Sequence, residues 1–61
     1  MSRNIATYRG FKLVLIAIAV EQFGYDRDEI TKKVHNDEYR EYFEDGVDPF
    51  NTLQFDERNS L

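Results

Sequence analysis

Cysteine is absent from this 61-residue chain, and histidine and proline each occur once. Without cysteine there is no disulfide and no thiolate nucleophile, and one histidine gives a structural zinc ion too few ligands. Serine is almost as scarce: Ser2 and Ser60 stand at opposite ends of the sequence, so a serine–histidine arrangement has little to assemble from. Gly10, Gly24 and Gly46 occur singly and make no phosphate-binding loop, and the aspartates do not fall at calcium-loop spacing. No enzymatic activity, cofactor or metal is expected. A membrane-length apolar run is also missing, because the longest, Leu13 to Val20, is eight residues where a bilayer needs about 20. Its weakly basic flanks and the following Glu21-Gln22-Phe23 fit a signal peptide poorly, so a cytoplasmic, membrane-free protein is expected.

What is present sets a different problem. Chains of about 60 residues bury only roughly 60% of their unfolded surface, and a single core of that size rarely gives more than about 3–5 kcal/mol without a staple. With disulfides and zinc removed, oligomerisation is the staple left. Apolar residues make up 41% and charged residues 33%, the balance of a folded chain rather than a disordered one. The net charge of −4 is uneven: residues 1–25 carry +2 and residues 26–61 carry −6. An acidic second half disfavours direct contact with nucleic acid, whose phosphates need Lys and Arg, and favours a basic protein partner or simply serves solubility.

The first element reads as a helix from about Asn4, a candidate cap, to Phe23, with Gly24 positioned to end it; the cost of Gly10 allows a start nearer Phe11. From Leu13 to Val20 the apolar side chains cover every direction of the helical wheel, which predicts burial all round. Val14, Ile16, Ile18 and Val20 alternate as in a strand, but a strand here would need covering on both faces and the chain offers no partner strands. These four residues are the expected oligomer interface, at the centre of a homodimer or of a tight contact with another protein. Asp26 with Glu29 forms a capping-box pattern and Tyr25 with Ile30 a hydrophobic staple, predicting a second helix from Arg27 to about His35. Asn36 or Asp37 is then expected to cap a third helix, or a kinked continuation, running to Asp45 with Tyr39, Tyr42 and Phe43 as its apolar stripe. Gly46 suits a Schellman ending with Val47 folding back on Tyr42. Asp48-Pro49 predicts one more short helical turn that sets Phe50 beside Leu53. The expected fold is therefore all-α: a compact three-helix bundle, a helical hairpin plus a short third helix, forming a dimer. Residues 1–55 are expected to make one domain and residues 56–61 a flexible tail.

Eight carboxylates lie between Asp37 and Glu57 against a lone Arg40; they read first as the solvated face of a helix and second as a negative surface for a basic partner. Most of the nine aromatic rings are expected to form the core that joins the helices, and the surplus beyond one small core is of the kind that anchors interfaces. The expected partner contacts are Phe23, Tyr25, Tyr39 and Tyr42 with Glu38, Glu41, Glu44 and Asp45. His35 beside Asp37 and Glu38 reads as a solvated helix junction, since three groups within four residues converge poorly on one ion.

The segment Phe23-Gly24-Tyr25-Asp26-Arg27-Asp28-Glu29-Ile30, with Val34 and Tyr39 after it, resembles the middle of a ubiquitin-associated domain. That resemblance implies a three-helix bundle that binds ubiquitin through the Phe23, Gly24 and Tyr25 loop and through Tyr42 and Phe43 on the third helix. The first helix here is longer and more apolar than the family's, and the family's leucine-rich third helix is missing. The functional expectation is a small non-enzymatic protein–protein interaction module, an adaptor or inhibitor of the accessory type found in bacteria and phages. The alternatives are an acidic inhibitor that mimics nucleic acid to a basic DNA- or RNA-binding protein, a ubiquitin-associated-like domain, and a purely structural subunit.

Overall fold

The computed structural model describes residues 7–59, which fold into four helices with no strand among them. Helix α1 spans Tyr8–Gln22, α2 Arg27–His35, α3 Arg40–Glu44 and α4 Pro49–Asn59. The all-α expectation holds, and the strand reading of the apolar run is excluded. The count does not hold: α4 is a fourth helix of 11 residues, not a closing turn.

Each helix end traces to a particular side chain. Thr7 starts α1, its hydroxyl accepting from the Gly10 amide at 3.0 Å, while the expected cap Asn4 lies outside the described residues. At the other end Phe23 closes the last helical turn by donating to the Ala19 carbonyl, and Gly24 at φ +74° turns the chain so that Tyr25 donates to the same carbonyl. The Asp26 carboxylate accepts from the Glu29 amide at 3.1 Å and starts α2 as expected. Neither Asn36 nor Asp37 caps α3. Asn36 closes α2 by donating back to Lys32 and Lys33, and Asp37 takes φ +61°, a left-handed position that Asp tolerates better than most residues. The Asp37 carboxylate instead accepts from the Tyr8 hydroxyl at 2.8 Å, so it fastens the start of α1. The third helix shrinks to five residues, and Tyr39 stands before it without a capping side-chain bond. Its ending is the full Schellman pair, Gly46 donating to Phe43 and Val47 to Tyr42. Asp48 then accepts from Asn51 at 2.9 Å, and with Pro49 as first helical residue α4 begins as the Asp-Pro pair predicts.

Helix α1 packs against each of the other three helices. Its buried stripe is Phe11, Leu15 and Ala19, met by Ile30 and Val34 of α2, by Tyr39, and by Leu53 of α4. Phe43 sits edge-on to Phe11 at 5.4 Å, and Phe23 meets Phe50 at 5.5 Å, so rings close both ends of the core. The buried Thr52 hydroxyl donates to the Asp48 carbonyl at 2.8 Å and leaves no unsatisfied group. Helix α4 runs on through Asn59, so residues 56–59 of the expected tail are helical, and the Asp56 carboxylate accepts from the Tyr39 hydroxyl at 3.1 Å. Burial of α1 on all sides is not what is found: Leu15 is fully buried, whereas Leu13 is 63% and Val14 37% exposed. Among the described residues three short helices cover one stripe of α1, reach Ile16 and Val20 only in part, and leave Leu13 exposed on the opposite side. Among the described residues no helix is long and apolar enough to cross a membrane.

Candidate functional site

The bare side of α1 borders a groove. Leu13, Ile16, Ala17 and Val20 recur at i, i+3, i+4 and i+7, one face of the helix, turned largely away from the stripe that faces the core. Helix α2 runs back alongside, and Val34 completes an apolar floor. The groove between the two helices has a volume of about 770 Å³. Thr31 forms its α2 wall, and His35 stands at the end nearest the start of α1.

Its rim is basic although the whole chain is acidic. Arg9, Lys12 and Arg27 carry three permanent positive charges against the one carboxylate of Glu21. The Lys12 ammonium lies 4.8 Å from the centre of the Tyr8 ring, a cation–π contact. Arg9 and Arg27 are exposed and form no ion pair among the described residues.

The other half of the molecule has the opposite sign, but much of its charge is committed. Asp37 holds Tyr8, Asp48 caps α4, Asp56 holds Tyr39 and lies 3.8 Å from Lys33, and Glu44 pairs with Arg40 at 3.1 Å. Glu38, Glu41, Asp45 and Glu57 remain as outward carboxylates. Burial, and then the Asp56 carboxylate, hold the Tyr39 phenol proton above its ordinary range; Tyr25 is shifted the same way, by burial first. Partial burial and the bond to Asp37 push Tyr8 up to about 12. Beside this network a smaller notch of about 260 Å³ lies between Tyr25, Ile30 and Lys33. Among the described residues no group of three His, Asp or Glu side chains is placed to hold a metal ion.

The residues singled out from sequence are distributed unevenly. Of the expected dimer contacts, Ile16 and Val20 line the groove while Val14 and Ile18 point to the other flank of α1, because a two-residue alternation is split by a 100° helical step. Of the aromatic set, Tyr39 is 2% exposed and serves the core. Phe23 packs between Tyr25 and Phe50, and Tyr42 stacks on Phe55 at 6.3 Å, so these rings are half-buried against their own chain. Glu38, Glu41, Glu44 and Asp45 are exposed on the α3 side and do not meet the groove. Sequence reasoning passed over Leu13, Ala17, Arg9, Lys12 and Arg27. The 3.6-residue period inside the apolar run was the signal for the first two.

Comparison with protein-family models, curated proteins and solved structures returned no match.

Proposed function

We propose that the chain is a small, cytoplasmic, non-enzymatic protein-interaction module, an adaptor or inhibitor of the bacterial or phage accessory type, and that it works through the open side of α1. The observation carrying this is Leu13, an aliphatic side chain 63% exposed at the mouth of an apolar groove. A single exposed leucine means little, but one continuous with Ala17, Ile16 and Val20 is an apolar surface, and such surfaces mark interaction sites. The test is an affinity capture from cells with the intact protein and with Leu13→Glu. The expected result is a partner recovered by the first and lost by the second while both give the same circular dichroism. Identical recovery would remove the groove from the function.

Pairing of two copies through α1 is the second reading. It is favoured by the ridge of Leu13, Val14 and Ala17, where the small Ala17 permits close helix approach. Light scattering after size exclusion decides it, and a monomer across the micromolar range would count against it. Nucleic-acid mimicry has less support than the sequence suggested, since Asp37, Glu44, Asp48 and Asp56 are engaged within the chain. Within the loop of the ubiquitin-associated alternative, Gly24 is exposed, Tyr25 is half-buried and Phe23 packs on Phe50.

A further inference from the structure

The geometry points to the occupant of the α1–α2 groove: an acidic amphipathic helix of a partner protein, laid along α1. This rests on the reading of the chain as an interaction module and names the chemistry of its partner. The α1 residues Leu13, Ile16, Ala17 and Val20 follow the spacing by which one helix reads another, with buried Val34 at the floor and Thr31 on the α2 wall. From Arg9 to Glu21 the groove runs about 18 Å at 1.5 Å per residue, the length of roughly three turns of a partner helix.

Charge selects among possible occupants. The rim carries Arg9, Lys12 and Arg27 against Glu21, a net of +2 within a chain whose total is −4. A basic helix would meet three like charges there. A second copy placed groove to groove about a twofold axis would bring the same net positive charge against itself. An acidic helix meets cations on both walls, Arg9 and Lys12 on α1 and Arg27 on α2, and of these Arg9 and Arg27 have no internal ion pair to give up. The outward carboxylates Glu38, Glu41 and Asp45 lie off the groove, so they repel the same helix from the wrong side. The partner inferred here is thus opposite in sign to the basic protein that net charge alone suggested.

The experiment uses the full chain and two synthetic helical peptides of about 14 residues. Both carry leucine at i, i+3, i+4 and i+7; one has glutamate flanking the stripe and the other lysine. Binding is followed by fluorescence anisotropy and by amide chemical shifts. The glutamate peptide is expected to bind roughly ten-fold tighter than the lysine peptide, from two or three rim ion pairs. Its shifts should centre on Leu13, Ile16, Ala17, Val20 and Val34, and its advantage should shrink as salt rises. The double variant Arg9→Glu/Arg27→Glu, both exposed, should invert the preference without changing the helical spectrum. Equal binding of the two peptides, preference for lysine, or no binding by either overturns the proposal. So does a free chain already dimeric with its α1 amides covered, which makes a second copy the occupant. If the peptides fail while Leu13→Glu still loses its captured partner, the interaction module stands and only the acidic chemistry falls. If Leu13→Glu also changes nothing, both fall.

Discussion

Two leucines of α1 stand two residues apart with opposite fates: Leu15 is fully buried and Leu13 is 63% exposed. Their chemistry is the same and their helix is the same. What differs is supply. Among the described residues, helices α2, α3 and α4, of nine, five and 11 residues, reach the Phe11–Leu15–Ala19 stripe and leave the far side of α1 open. Burial of α1 is limited by the surface these helices bring to it, so an apolar run broader than its cover leaves a usable face behind.

The widest way to break this contrast is Leu15→Ala. A buried leucine reduced to alanine costs about 2–5 kcal/mol, and a core of this size holds roughly 3–5 kcal/mol altogether. The variant is expected to be largely unfolded at 25 °C, seen as loss of the far-ultraviolet helical signal before any urea is added. A cooperative urea transition near that of the parent would mean that the stripe is not the true core.

Next in size is the cover itself. Asp48→Ala leaves the Asn51 amide unpaired at the start of α4 and is expected to cost about 1 kcal/mol. Tyr39→Phe removes the bond to Asp56 and should cost a similar amount, about 0.5–1.5 kcal/mol. Both should lower the thermal midpoint by several degrees. An unchanged midpoint for both would show that α4 contributes little to covering α1.

The sequence made some of this legible and concealed the rest for a physical reason. Caps are local chemistry, so Asp26, Gly24, Gly46 and the Asp48-Pro49 pair mark their helix ends within a residue or two. The extent of α4 was not legible, because its inward positions Pro49, Thr52, Leu53 and Asp56 include two polar residues in a stripe at i, i+3, i+4 and i+7. Those two are tolerated because Thr52 donates back to the Asp48 carbonyl one turn earlier and Asp56 accepts from Tyr39, a partner that only the folded chain supplies. The groove was hidden for the converse reason. A wheel that is apolar all round carries no mark of which side the neighbours will choose.

Alkali probes the fastening between the two halves. Tyr8 donates to Asp37, joining the start of α1 to the turn between α2 and α3, and holds its proton to about 12 instead of 10.0. A raised folded value means that this contribution is complete below pH 10 and is lost as pH rises through about 12. Stability should therefore be flat in the tyrosine contribution to about pH 10 and fall between there and 12, where ultraviolet titration should show late phenolate formation. In Tyr8→Phe that late phase should disappear while the one from Tyr39, shifted in the same direction, persists.

The smallest expected effect is the most discriminating. Leu13→Gln removes an aliphatic side chain that touches little of its own chain, and surface substitutions of that kind stay within about 0.5 kcal/mol. Its urea midpoint should match the parent's at every protein concentration. If the parent were instead held together by a second copy on this face, its midpoint would rise with concentration and the variant's would not, since only an associated state gains stability by mass action. One pair of unfolding curves at two concentrations thus separates a face kept open for another protein from a face that the chain closes on itself.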